Sequence, residues 1–187
     1  MAEKVSRKIN RGWTTRDIMV TAIISIALGV LYIPLAYILG LLYAIPLAYS
    51  LTVGISFWPI IMVAYLIRKP GVAIFSAMVT SLVQVPFTPF GIVILVTGLL
   101  IGLPTEATLL SGRYKNFKLW YLMLTGAITG LVNAMLLYIS MGFGNISPLL
   151  QIVYLSVYVI SGAVLGGMLA KVIGDLVIRT GIITPIR

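Results

Sequence analysis

The side chains able to do chemistry in this 187-residue chain are mainly uncharged amides and phenols, because acids and bases are scarce. Gln151, Tyr154 and Tyr158 recur at spacings of three and four residues, so on a helix they share one face. Amide groups beside aromatic rings suit a small planar ligand, which stacks on the rings while the amides hydrogen-bond to its edge. We therefore predict a ligand-binding site formed by Gln84, Asn133, Gln151, Tyr154, Tyr158 and Trp58.

Glu106 is the only charged residue inside the long apolar stretches of the chain. A carboxylate in hydrocarbon costs several kcal/mol, so such a residue is a candidate for substrate binding. Two interpretations stay open: Glu106 binds a ligand or proton, or it is bonded to backbone freed by Pro104, to Thr105 or Thr108, or to another helix. A lone acid cannot form a proton relay, so a proton-coupled pump is not supported.

The absence of two residue types excludes whole classes of enzyme. Without Cys there is no thiolate nucleophile, thiolate metal site or disulfide, and without His there is no Ser-His-Asp triad and no HExxH zinc site. The sequence also lacks the GxxxxGK[ST] loop that binds ATP. We expect no metal, no cofactor and no enzymatic activity of the chain's own.

The elements that must position these residues are membrane helices, because 60% of the residues are apolar and only 9% are charged. Charged clusters separate three apolar stretches, 18–67, 70–112 and 119–170, each long enough for two spanning helices. Gly and Pro near the middle of each stretch mark the turns. The prediction is an all-α integral membrane protein with six transmembrane helices in three hairpins, near 18–38, 48–67, 71–85, 92–111, 119–140 and 149–170. The third helix is short for a full span.

The basic clusters predict the orientation of these helices. All of them lie on one side, and the three opposite loops carry no charge, so both termini are expected in the cytoplasm. This placement accounts for the net charge of +9 without a nucleic-acid partner. The predicted organisation is a basic N-terminal segment (1–17), a single six-helix domain (18–170) and an amphipathic cytoplasmic tail (171–187), in which Asp175 and Arg179 are spaced by four.

Small residues at spacing four predict close helix contacts. Such pairs are Gly98 with Gly102, Gly126 with Gly130 and Gly162 with Gly166, and the third helix has Ala73, Ala77 and Ser81. We interpret these as packing surfaces inside the bundle. The stripe Thr21, Ser25 and Gly29 of the first helix allows two interpretations: internal packing, or docking of a partner helix.

Three segments, IRKPGVA at 67–73, GLLIGLPTEA at 98–107 and ISGAVLGG at 160–167, resemble the YkoE family. Its members are substrate-binding S components of energy-coupling factor (ECF) transporters, associated with thiamine or its hydroxymethylpyrimidine precursor. The resemblance extends from Asp17 to Ile183 and includes Glu106.

The resemblance implies a six-helix bundle in a prokaryotic plasma membrane that captures a vitamin or precursor from outside in its outer half. It also implies docking on a transmembrane coupling protein with two ATPase subunits. Small residues of the first helix, which match Thr21, Ser25 and Gly29, would lie at the docking surface.

The chain departs from the family at charged positions. Members carry acidic residues near Ser50 and Gln84 and a charged residue near Leu137 and Tyr158, and all four are uncharged here. Without carboxylates, the fixed positive charge of thiamine would be held only by cation–π contacts. This departure favours the neutral pyrimidine over thiamine.

The main alternative is a structural or assembly subunit of a larger membrane complex, which would use the GxxxG faces for its partners. A membrane-embedded enzyme lacks a general acid–base pair here, and a channel lacks a ring of charge for a filter. Co-purification with respiratory or secretory subunits instead of ATPases would favour the assembly subunit.

Overall fold

The computed structural model describes residues 12–42, 44–140 and 147–181, and their regular elements are helices. The described residues form eight α-helices: α1 Thr15–Leu42, α2 Pro46–Thr52, α3 Trp58–Ile67, α4 Val72–Gln84, α5 Val93–Ser111, α6 Leu119–Ser140, α7 Pro148–Ser161 and α8 Leu169–Arg179. A 3-10 segment, Val53–Ser56, lies between α2 and α3, and a π segment, Gly162–Met168, joins α7 to α8 without a break.

In the described ranges, five helical stretches are long and apolar enough to cross a membrane. They are Thr15–Leu42, Leu47–Ile67, Val93–Ser111, Leu119–Ile139 and Pro148–Arg179. The predicted third span is α4, which has 13 residues. At 1.5 Å per residue it measures about 20 Å, less than the roughly 30 Å of a hydrocarbon core. The protein is therefore a multi-pass helical membrane protein in which α4 is too short to cross alone.

The last long helix differs from its predicted end. It continues beyond Ala170 to Arg179. Ala170 and Gly174 are buried, and a Cβ on Gly174 would overlap the Tyr65 ring, so this part of the helix packs closely on α3. Lys171 and Asp175 form an ion pair of 2.6 Å at spacing four, and Tyr65 donates a hydrogen bond to the same carboxylate. The described part of the predicted tail is thus a continuation of the helix, packed on α3, and the ion pair of Asp175 is with Lys171.

Glycines bring α6 and the π segment into backbone contact. A Cβ on Gly126 would overlap the carbonyl oxygen of Gly162, and a Cβ on Gly162 would overlap the carbonyl oxygen of Gly126. Similarly, Gly102 of α5 packs on Ala77 of α4: a Cβ on Gly102 would lie 2.9 Å from the Cβ of Ala77. These glycines pack inside the bundle, as the spacing predicts.

The small-residue stripe of α1 is also used inside the bundle. Thr21 and Ser25 are fully buried, and the Ser25 hydroxyl donates to the Ser76 hydroxyl of α4 over 2.9 Å. A Cβ on Gly29 would lie 2.9 Å from the Cβ of Val83. These contacts fit the internal-packing interpretation, since Ser25 and Gly29 pack on α4, and docking of a partner helix at this stripe stays a prediction.

Candidate functional site

A cavity of about 210 Å³ lies between α1, the second membrane helix (α2 to α3), α4 and α5, with Leu137 of α6 at its edge. Every described residue that lines it is uncharged. Most of the lining is apolar, which is typical of a site for a small organic ligand. Its polar side chains are Tyr32, Tyr49, Ser56, Thr80, Ser81, Gln84 and Thr97.

Gln84 supplies the amide group of the cavity wall. It ends α4, where Ala77, Thr80, Ser81 and Gln84 share one helix face and all line the cavity. The side chain is buried, and its Nε2 donates to the Thr80 carbonyl over 3.1 Å. This bond leaves Oε1 as a hydrogen-bond acceptor for a ligand.

Trp58 reaches the cavity only through Tyr32. The Tyr32 hydroxyl donates to the Ile55 carbonyl, and its ring lies 6.3 Å from the Trp58 ring at an interplanar angle of 53°. Tyr32 lines the cavity and Trp58 does not. The indole is thus adjacent to the site, where its fluorescence would report on a bound ligand.

The predicted stripe of α7 adjoins the cavity through Tyr49. The Tyr49 ring lies 6.4 Å from Tyr158, and Tyr158 lies 5.6 Å from Tyr154, both in edge-to-face geometry. Gln151 accepts a hydrogen bond of 3.0 Å from the Tyr138 hydroxyl. The structure therefore brings Tyr154 and Tyr158 together beside the cavity without making them part of its lining.

Asn133 connects α6 to α5. Its Nδ2 donates to the carbonyls of Leu100 and Thr129, over 3.0 Å and 2.9 Å. Leu137, four residues later and therefore on the same helix face, is the α6 residue that lines the cavity. Asn133 thus lies one helical turn away from the cavity.

Glu106 caps the N-terminus of α4. Its buried carboxylate accepts hydrogen bonds from the backbone N–H groups of Gly71, over 2.6 Å, and Ala73, over 3.0 Å. These are donors that a helix start leaves without intrahelical partners. Because Gln84 ends the same helix, Glu106 and the cavity amide lie about 20 Å apart along its axis.

This geometry corresponds to the second interpretation of Glu106, an acid bonded to another helix. In the turn after α5, burial and the Glu106 carboxylate raise the pKa of Tyr114 far above its ordinary value, so its phenol stays neutral. A carboxylate enclosed by backbone donors and a neutral phenol stabilises the turn before α4. Glu106 does not line the cavity.

We expect Glu106→Gln to lower stability by about 1–3 kcal/mol, because the amide nitrogen cannot accept the second backbone hydrogen bond. Thermal unfolding of the detergent-solubilised protein, followed by tryptophan fluorescence, measures this loss. Affinity for ligand should stay within about twofold, since the cavity is at the other end of α4. Weakened binding with an unchanged melting temperature would contradict this assignment.

Sequence reasoning missed most of the α4 wall. Ala77 and Ser81 were interpreted as packing residues, and they do contact Gly102 and Gly98 of α5, but they also line the cavity. The available signal was Thr80 together with Gln84, which continue the same face with polar groups. A helix face that mixes small residues with polar ones can pack and bind at once.

Comparisons with known proteins agree with this architecture. Residues 16–132 match the family model described as "ABC-type cobalt transport system, permease component". The chain is 32% identical over 176 residues to the "Putative HMP/thiamine permease protein YkoE" of Bacillus subtilis (strain 168), covering 92% of this chain and 88% of that protein. A solved structure titled "Crystal structure of an S-component of ECF transporter" superposes with a TM-score of 0.85 at 32% identity, covering 91% of this chain and 88% of the other. The chain therefore belongs to the YkoE family of substrate-binding S components of ECF transporters.

Proposed function

We propose that this S component captures hydroxymethylpyrimidine, the neutral precursor of thiamine, in the cavity between α1, α4 and α5. The observation that carries the proposal is the cavity itself, whose described lining is mostly apolar, includes the rings of Tyr32 and Tyr49 and the amide of Gln84, and carries no charge. The name of the Bacillus subtilis relative supports the substrate class, since it refers to both HMP and thiamine.

The charge of the lining favours the pyrimidine over thiamine. Thiamine carries a fixed positive charge, and desolvating a cation without a carboxylate partner is costly. Aromatic faces such as those of Tyr32 and Tyr49 offset only part of that cost. The volume of about 210 Å³ is also below the roughly 300–1,000 Å³ of sites for drug-sized ligands, so it suits a single ring better than two.

Gln84 is proposed as the residue that selects the ligand. Its Oε1 would accept a hydrogen bond from the exocyclic amino group of the pyrimidine, while the ring packs on Tyr32 and Tyr49. Outside the cavity, Tyr158 would pack against the Tyr49 ring and Trp58 against the Tyr32 ring, with Tyr154 packed on Tyr158. Asn133 and Gln151 are proposed to hold α5, α6 and α7 around the site through their hydrogen bonds.

The transport step is proposed to need other subunits. The sequence has no ATP-binding loop, so a coupling protein with two ATPase subunits would supply the energy. Basic residues in the turns after α3 and α5, and at both termini, favour six passes with both termini in the cytoplasm of a prokaryotic cell. The chain itself would act only in substrate capture.

The proposal is tested by titrating the purified protein with hydroxymethylpyrimidine, thiamine and Co²⁺ while recording tryptophan fluorescence. We expect saturable quenching by the pyrimidine, with thiamine at least about tenfold weaker, a difference of roughly 1.4 kcal/mol. No response to Co²⁺ is expected, because the chain contains neither the imidazole of His nor the thiolate of Cys to bind it.

Two results would overturn the proposal. Tighter binding of thiamine than of the pyrimidine would show that the uncharged lining does not set the preference. If neither compound changes the tryptophan fluorescence and isothermal titration calorimetry detects no heat of binding, the chain binds a substrate outside the thiamine pathway.

A further inference from the structure

Two of the long helices are irregular where they meet. The 3-10 segment interrupts the stretch Leu47–Ile67, and the π segment interrupts Pro148–Arg179. A Cβ on Gly166 would lie 3.5 Å from the carbonyl oxygen of Gly54, so the two irregular segments are in direct contact. Irregular backbone at membrane depth is tolerated only where it is buried in protein or lines a cavity.

Ser161 binds the 3-10 segment from the other helix. Its hydroxyl accepts a hydrogen bond of 3.1 Å from the backbone N–H of Gly54 and donates one of 2.7 Å to the carbonyl of Leu51. A serine inside a helix ordinarily bonds to the carbonyl four residues earlier in its own helix. Here the buried hydroxyl instead satisfies one donor and one acceptor of a neighbouring helix.

The close approach of the two helices depends on Gly54. A Cβ at this position would overlap the carbonyl of Ser161. The residue is buried, and its lack of a side chain lets the Ser161 hydroxyl reach the backbone. Ser161 and Gly54 thus allow the two helices to approach closely at this point.

The opposite side of the same segment belongs to the cavity. Tyr49 precedes it and Ser56 ends it, and both line the cavity. The Ile55 carbonyl, between them, accepts the hydrogen bond from Tyr32. Ser161 therefore bonds to the segment on the side away from the cavity, while Tyr49 and Ser56 line the cavity on the other side.

We propose that Ser161 is a positioning residue for ligand binding, whose hydroxyl holds the 3-10 segment in the geometry that presents Tyr49 and Ser56 to the cavity. The proposal rests on the function proposed above, because it assigns a role in that same site. Loss of the hydroxyl would leave the Leu51 carbonyl and the Gly54 amide without this partner, and the segment would rearrange to find others.

The test compares Ser161→Ala and Ser161→Cys with Thr129→Val. Thr129 makes a buried hydroxyl contact of 3.0 Å with Thr105 between α5 and α6, and neither residue lines the cavity, so it is a matched control. Hydrogen exchange of the ligand-free proteins, read at peptides covering 51–57, reports the segment directly. Titration with hydroxymethylpyrimidine reports binding.

For Ser161→Ala we expect exchange at 51–57 to be about tenfold faster and the dissociation constant to rise about tenfold. Ser161→Cys should give intermediate values, because sulfur is a weak donor and acceptor. Thr129→Val should lower the melting temperature but leave exchange at 51–57 and affinity within about twofold.

Unchanged exchange at 51–57 in Ser161→Ala would overturn the positioning role, whatever the ligand. Faster exchange with unchanged affinity would overturn it as well, since the segment would then not shape the site. If the wild-type protein binds neither pyrimidine nor thiamine, the proposed function fails. The positioning role then fails with it, and any faster exchange in Ser161→Ala shows only that the hydroxyl orders the segment.

Discussion

Replacing Gly126 by valine is expected to prevent α6 from packing against the π segment and to cause the largest loss of stability of any change proposed here. The side chain would overlap the carbonyl of Gly162 and crowd the amide of Gly167, 2.8 Å from the new Cβ. Both neighbours are backbone atoms, so no rotamer change relieves the overlap. We expect a loss of about 3 kcal/mol or more, the upper range for overpacking.

Thermal unfolding followed by tryptophan fluorescence, together with the monodisperse fraction in size-exclusion chromatography, measures this effect. At roughly 2–4 °C per kcal/mol for a chain of this size, the melting temperature should fall by about 10 °C. Ala107→Val is the control, because it adds a branched side chain at an exposed position of α5. An equal loss in both variants, or none in Gly126→Val, would show that the glycine contact does not hold the bundle.

Replacing Gln84 by glutamate is expected to reverse the ligand preference, so that the protein binds thiamine more tightly than hydroxymethylpyrimidine. A carboxylate at this buried end of α4 would supply the anionic partner that the cavity lacks. An opposite charge stabilises a cation strongly in such a site, so the affinity for thiamine should rise about a hundredfold or more, enough to exceed that for the pyrimidine. The affinity for hydroxymethylpyrimidine should stay within about twofold, because the carboxylate keeps an acceptor oxygen, whereas Gln84→Leu should weaken the pyrimidine about tenfold through loss of the acceptor.

Gln151→Glu is the matched control, since it makes the same chemical change beside the cavity without lining it. Competitive titration of both ligands against both variants separates the possibilities. We expect only Gln84→Glu to bind thiamine more tightly than hydroxymethylpyrimidine. Reversal in Gln151→Glu alone would move the ligand to the α7 stripe and refute the assignment of Gln84.

The order of the helices was predictable because charge patterning and bilayer thickness constrain a membrane protein strongly. The turns after α3 and α5 fall where basic residues interrupt the apolar sequence, and the short α4 was visible as a short stretch. The irregular segments were not predictable, since Val53–Ser56 and Gly162–Met168 read as ordinary apolar helix. Their geometry comes from contact between helices, which no local pattern contains.

The site was only partly predictable for the same reason. The polarity of Gln84 predicted a site residue, and it lines the cavity, whereas the spacing of its cavity neighbours Ala77 and Ser81 predicted packing only. Glu106 was singled out because a buried acid is costly, and its partners are backbone amides of another helix. Thr21 and Ser25 belong to the small-residue stripe of α1, and only the tertiary structure shows that both are buried.

The amino-acid sequence by itself determined the class of the protein, the order of its helices along the chain and the absence of Cys and His. Those properties follow from composition and from the distance a helix must cover in lipid, which each segment carries alone. The tertiary structure decided which polar groups meet. It placed Glu106 on the start of α4, Gln84 in the cavity wall and Ser161 on the backbone of another helix. A hydrogen bond between helices depends on their rotation and depth relative to each other, and those are set by packing of the whole bundle.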